Sequence, residues 1–428
     1  MSKKSPNATR GVRVLHLSAV DHGGAGTAAL RLHRAMIERG VASHMLIWEG
    51  KSSAAYITSI AGVSLSALRR FLGRAWYRLT SRSRYLFRGQ RASLVSRSKL
   101  TEFAMRVQPN LIIVHYISDF LRFGDIAFLQ SLTGARVVFH LLDMGLLTGG
   151  CHYAWGCRGY REQCGDCPAL PGRPGHDASA RTLADKKATV GFLDHVVVAP
   201  TDQLAQDGKG ASVFANSRFE SILIGVDSDS LGRQTQAEAR AGLGLTNEGT
   251  ILFFGAQHLG DKRKGMHLLV AALQALAADG MLQRSGVQLL IAGNVGGLAE
   301  LDALNVPVIR LGFVSPELLS QCYCAADFFI CPSIEDSGPM MVNEAIMSGT
   351  PVIGFPIGVL PDLVIDGETG LLASSMNAPG LLAALTRALG WSDVQRTKAR
   401  EACRKLALAR CSLDVQVAKF LALAEDTV

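Results

Sequence analysis

The chain has 428 residues, 48% hydrophobic and 19% charged, with 44 Gly and 14 Pro. That apolar fraction excludes a disordered chain, the length fits two domains of roughly 200 residues better than one core, and no apolar run reaches the ~18 residues that span a bilayer. The formal charge of +8 is local: Lys51 to Leu100 holds eleven Lys or Arg and no Asp or Glu, and removing those eleven from 44 leaves 33 basic against 36 acidic residues.

The first twenty residues carry positive charge but no long apolar stretch or small-residue cleavage site, so no secretory leader is expected. Val12–Leu17 reads as a buried strand and Thr27–Glu38 as a helix, joined by Asp21-His22-Gly23-Gly24-Ala25-Gly26-Thr27. Glycines in such a turn let backbone approach a ligand. Gly24, Gly26 and Ala29 also satisfy the looser dinucleotide fingerprint, with Glu49 about 20 residues on, so a nicotinamide or flavin site is the rival reading.

Further along, Leu65, Leu68, Leu72, Trp76 and Leu79 fall within an ~80° arc of a helix, with Arg70, Arg74 and Arg78 opposite. That pattern predicts a basic amphipathic helix, which lies on anionic lipid or packs on its own domain with a solvated Arg face. Nucleic acid is not expected as a partner, since no recognised binding module accompanies the charge.

Leu111–Val114, Arg136–Phe139 and Val196–Val198 are further strands, with His115 and His140 at carboxyl ends. Residues 144–190 form a long, strand-poor segment containing Cys151-x5-Cys157-x6-Cys164-x2-Cys167. Four thiolates at that spacing suit a closed structural zinc, the alternatives being reduced thiols or transient disulfides. No open set of His and carboxylate ligands suggests a catalytic metal.

The second half repeats the alternation, with strands at Ile251–Phe254, Leu289–Ala292, Asp327–Ile330 and Pro351–Phe355 and helices at Met266–Ala278 and Pro339–Met347. Apolar strands separated by helices mean parallel sheets covered on both faces. The expected fold class is therefore α/β, two doubly wound Rossmann-like domains facing an interdomain cleft, with ligands at the carboxyl ends of the strands. The expected division is 1–222, carrying a basic insertion at 51–100, then 223–405, with 406–428 as a C-terminal helix packing back on the first domain.

Chemistry concentrates in Cys331–Val352. A strand ends at Pro332, a polar loop follows, and Ser337 or Gly338 is placed to cap a helix with Pro339 in its first turn, ahead of Met340. Val342, Ala345, Ile346 and Gly349 share the face that packs on the sheet, which leaves Glu344 free to bind a ligand. The helix N-terminus suits a diphosphate, and a carboxylate on the next turn suits ribose hydroxyls; the alternative is an ordinary βαβ unit with a solvated Glu. Between Gly255 and Gly265, Arg263 and Lys264 are placed to neutralise a leaving diphosphate.

Asp336-x7-Glu344-Ala345 followed by Gly349-Thr350-Pro351-Val352 resembles the acidic signature of retaining family-4 glycosyltransferases of the GT-B fold. The Glu335-Asp336-x-x-Pro339 wording, Asp143 and the Gly149-Gly150-Cys151-His152-Tyr153 run are similar to a subgroup of colanic acid and exopolysaccharide enzymes. The resemblance implies transfer from a UDP- or GDP-linked sugar to a glycan or lipid-linked acceptor with retention of configuration, without a catalytic metal. Glu344 would hold the donor ribose, Asp336 and the 337–340 loop the donor sugar, and Lys264 the diphosphate. Arg263 would replace the family's Arg, whose position holds Gln257 or a neighbour. The subgroup's His, expected directly before Asp143, is Leu142 here, so His140 would substitute. A cytoplasmic enzyme at the inner face of the plasma membrane is expected; the other readings are a non-catalytic GT-B scaffold subunit and a sugar-nucleotide epimerase.

Overall fold

The computed structural model describes residues 11–52, 54, 56–60, 65–89, 93–171, 177–246, 248–294 and 299–425. The chain divides into two compact units: one runs as far as Leu223 and takes the chain up again from Gln416, and the other is Ile224–Val415.

The first unit is built on seven parallel strands: β1 (Arg13–Val20), β2 (Ala42–Glu49), β3 (Ile57–Ser59), β4 (Leu111–Val114), β5 (Arg136–His140), β6 (His195–Ala199) and β7 (Arg218–Ser221). Their order is β3-β2-β1-β4-β5-β6-β7. The second unit holds β8 (Ile251–His258), β9 (Gln288–Asn294), β10 (Val308–Gly312), β11 (Phe328–Cys331), β12 (Val352–Gly354) and β13 (Gly370–Leu372), in the order β10-β9-β8-β11-β12-β13. Every pairing is parallel.

The central strands are mostly apolar and buried, as a sheet covered on both faces requires. Leu111-Ile112-Ile113-Val114 is fully buried, and Leu15, Leu17, Ile112, Val137, Phe139 and Val197 share one core. In the second unit Leu252, Phe254, Leu289, Ile291, Phe328 and Ile330 do the same. Both sheets reverse their winding direction between neighbouring strands, at β1/β4 and at β8/β11. Carboxyl ends at such a switch point leave a crevice that no crossover helix covers. Among the described residues no helix is long and apolar enough to cross a membrane.

The last helix, Leu413–Glu425, joins the first unit through Phe420, whose ring lies 5.0 Å from that of His140, and through the Leu423 carbonyl, which accepts from Arg136 at 3.2 Å. His140 is one of a run of buried imidazoles. His115 hydrogen-bonds His16 at 2.9 Å and His140 at 3.0 Å, while His33 bonds Ser43 Oγ at 2.8 Å. A neutral His115 has one ring proton, so its two bonds must run in the same direction along the row.

Burial disfavours the imidazolium form of all of these. It pushes His140 down to about 3, and burial with the neighbouring His44 and Arg34 takes His33 to about 4. An unfolded histidine titrates near 6.5, so the unfolded chain binds the extra protons first and stability falls as pH drops below that value. His140 and His33 should each remove about 2 kcal/mol by pH 5. A melting temperature that holds steady from pH 7 to pH 5 would contradict this reading of the buried row.

Candidate functional site

In the second unit, β8 and β11 deliver their carboxyl ends side by side. After β8 the chain makes a short turn over Lys262–Lys264, capped by Asp261, which accepts from the Arg263 N–H at 3.0 Å. Gly265 then adopts φ +69°, and a Cβ there would run into the carbonyl oxygen of Pro332. Only glycine lets the two strand-end loops come this close. The Ile334 N–H donates to the Arg263 carbonyl at 2.8 Å and locks them together.

That junction brings Lys264 against Asp336, Nζ to Oδ2 at 2.5 Å, with the other carboxylate oxygen accepting the Gly338 N–H at 3.2 Å. Burial alone would push the Asp336 carboxyl up, but the Lys264 ammonium and the Gly338 N–H hold it below the usual range. Lys264 gains in turn: its desolvation is outweighed by Asp336, which raises its pKa. Both groups are therefore charged at neutral pH. Arg263 places one guanidinium nitrogen 2.6 Å from Asp261 and another 3.3 Å from the Glu335 carbonyl. It braces the loop, and its guanidinium is engaged by a carboxylate of its own turn.

The helix that follows is Met340–Met347, with Pro339 at the cap and no side-chain capping bond. Neither Ser337 nor Gly338 caps it, in contrast to the sequence expectation, because helical geometry begins one residue later. Gly255, on β8, faces Met341 so closely that a Cβ would clash with the Met341 methyl group. The helix start, the Lys264–Asp336 pair and the β8 end thus form one surface, with N–H groups of a helix N-terminus beside a cation.

Glu344 departs from expectation. It is buried rather than free, and its Oε2 accepts from the Tyr323 hydroxyl at 3.0 Å. Tyr323 belongs to the Pro316–Ala325 helix, which packs beside the Met340 helix and closes over the carboxylate. Tyr323 was not singled out from sequence, since its partner lies 21 residues away on another helix.

In the first unit the helix after β1 begins at Gly23, so Gly24 and Gly26 lie in its first turn. A Cβ on Gly26 would sit 2.8 Å from the Val20 carbonyl oxygen, so that glycine serves helix-on-strand packing; Gly24 faces open space. The Glu49 that the dinucleotide reading needs accepts from Arg70 at 2.8 Å. His140 is sealed between His115 and Phe420 and is removed from direct contact with any substrate.

The histidine that meets Asp143 is His152, at 2.7 Å, itself bonded to Ser118 at 3.1 Å. Its signal lay in the Gly-Gly-Cys-His-Tyr run, which drew attention only for its cysteine. Cys151, Cys157, Cys164 and Cys167 line one cavity of about 100 Å³ as free thiols. No three His, Cys, Asp or Glu among the described residues are placed to hold a metal ion, contrary to the zinc expectation. Burial pushes Cys151 up to about 12 and Cys164 up to about 11. Buried Lys186 orders this loop by donating to the Gly145 and Thr148 carbonyls at 2.6 and 2.8 Å.

Residues 248–390, the segment that carries this surface, match the family model described as Glycosyl transferases group 1. The match covers about a third of the chain. A D-inositol 3-phosphate glycosyltransferase of Mycobacterium sp. (strain JLS) is 35% identical over 172 residues, 36% of each chain. The present chain thus aligns with about a third of that relative's length. Over the whole fold, sucrose-phosphate synthase from Thermosynechococcus elongatus superposes with a TM-score of 0.63 at 18% identity, covering 96% of this chain and 98% of that one. Anabaena Alr3699/HepE, solved in complex with UDP-glucose, gives 0.61 at 17% identity over 97% and 99%. The architecture is the GT-B fold, two parallel-sheet α/β units, and the segment that matches the group 1 model lies within the second of them.

Proposed function

We propose that the protein transfers a sugar from a nucleoside diphosphate sugar to a glycan or lipid-linked acceptor, with retention of configuration, in bacterial polysaccharide synthesis. The observation that carries this reading is the Lys264–Asp336 pair set beside the side-chain-uncapped start of the Met340–Met347 helix, inside the segment that matches the group 1 model.

Lys264 and the helix N–H groups bind the diphosphate and stabilise the charge that grows on it as the bond to the sugar breaks. Asp336 and the Gly338 backbone take the sugar hydroxyls, and Glu344, oriented by Tyr323, takes the ribose. The acceptor hydroxyl attacks the anomeric carbon on the face the diphosphate leaves, and its proton passes to a leaving phosphate oxygen. Arg263 sets the loop for Lys264 through Asp261 and Glu335. Asp143, fixed by His152, and the open Gly24 turn are assigned to the acceptor.

A panel of UDP- and GDP-sugars, with NAD as the rival ligand, tests this by thermal shift and by release of nucleoside diphosphate. A ligand that binds only the folded chain raises its melting temperature. One nucleotide sugar should stabilise the protein and turn over only when an acceptor is supplied. Stabilisation by NAD alone would overturn the assignment, binding without turnover under any acceptor would favour a scaffold, and product formed without acceptor would favour an epimerase.

A further inference from the structure

Of the two sequence expectations for the Leu65–Thr80 helix, packing on its own domain with a solvated Arg face is the one the structure reverses. Arg70 and Arg74 turn inward. Arg70 is buried, bonds Glu49 at 2.8 Å and lies over the Trp48 ring, and Arg74 reaches Asp119 at 3.1 Å, where Arg88 joins at 3.7 Å. The side chains of Leu65, Arg69 and Arg78, and all of Arg91, lie outside the described residues.

The apolar face points to solvent. Leu68, Phe71, Leu72, Trp76 and Leu79 are 53, 68, 56, 56 and 86% exposed. At 100° per residue these five fall within about 140°, a continuous stripe running the length of the helix. Leaving it in water forgoes much of the roughly 1.5–3 kcal/mol that burial of each such side chain supplies. The inward ion pairs fix this orientation, because turning the helix over would take Arg70 from Glu49 and Arg74 from Asp119.

We infer that this outward stripe docks the protein on an anionic lipid surface. Charge selects that occupant. The stretch from Lys51 to Leu100 has no carboxylate, and Arg82 and Arg84, directly after the helix, are exposed together with Lys51, Arg97 and Lys99. A second copy seated on the stripe would bring two such cationic stretches together. A bilayer with acidic headgroups takes the apolar side chains at the level of the acyl chains and the surrounding cations at the phosphates. The acid-free composition, which looked like a solvated face, thereby acquires a direction: the flanking cations meet the lipid charge, while Arg70 and Arg74 hold the helix down.

Co-sedimentation of the full chain with phosphatidylcholine vesicles, with and without phosphatidylglycerol, tests the inference. The parent should pellet with the acidic vesicles only, and less at high salt. Phe71→Ser/Leu72→Ser/Leu79→Ser, three changes at exposed positions that should leave the melting temperature unchanged, should weaken that binding by at least about tenfold. Trp76 emission should shift to the blue on acidic vesicles, and the shift should vanish in Trp76→Phe. A parent that stays in the supernatant, or a triple variant that binds as well as the parent, overturns the proposal. A parent dimer that the triple variant converts to monomer, with no vesicle binding by either, overturns it in favour of a second copy.

Discussion

Lys264→Ala should lower sugar transfer by about 10²–10³-fold, the range seen when one preorganised group facing developing charge is removed. Lys264 is the cation fixed on Asp336, and the tight Gly265 turn leaves the backbone no slack to bring another into its place. Its neighbour Lys262 belongs to the same turn but is exposed, so Lys262→Ala should retain near-parental activity. The comparison separates a positioned cation from general basicity. Removing Lys264 also leaves the Asp336 carboxylate without its counter-charge, so its pKa should rise toward and beyond the ordinary value. Initial rates and melting temperatures of both variants decide the matter. Equal losses in the two would mean that charge alone matters there.

Arg240→Met should cost about 3–5 kcal/mol of unfolding free energy, the range for breaking one side of a buried ion pair. The Arg240 guanidinium meets Asp327 at 2.7 Å with both side chains buried, and its Nε donates to the Ala325 carbonyl at 3.0 Å. Asp327 also accepts the Ile251 N–H at 2.7 Å and a Gln236 amide proton at 3.2 Å, with Arg396 3.5 Å away. One carboxylate therefore ties the start of β8, the approach to β11 and two helices together. Those are the two strands whose far ends carry Lys264 and Asp336. Met keeps the volume but removes the charge, leaving Asp327 buried with only partial compensation. Urea unfolding followed by fluorescence checks the value, and a loss under about 1 kcal/mol would show the network to be redundant.

Much of this fold is legible in the sequence. Leu111–Val114 and Met266–Ala278 have in the structure the boundaries that the sequence predicts, because a short β-branched apolar run and a longer Leu- and Ala-rich run between Gly265 and Asp279 leave little choice. Turn chemistry located the loop between β11 and the Met340 helix. Short edge strands such as β3 and β13, three residues each, carry no period and went unread.

The misreadings share one cause: local pattern fixes which side chains share a face, not which face turns inward. Arg70 and Arg74 find Glu49 and Asp119, 21 and 45 residues away, and so invert the basic helix. Glu344 is closed off by Tyr323 from the Pro316–Ala325 helix, and His140 is sealed by Phe420, 280 residues further along the chain. Spacing brought four cysteines to one cavity but did not set the distances between their sulfurs.

The most direct test of the donor site is calorimetric titration of parent and Lys264→Ala with UDP or GDP, whichever the parent binds, and with the corresponding nucleoside. If the diphosphate lies on Lys264 and the Met340 helix start, the variant should bind the diphosphate at least about tenfold more weakly and the nucleoside equally well. Equal affinity of both proteins for the nucleoside diphosphate would contradict the account.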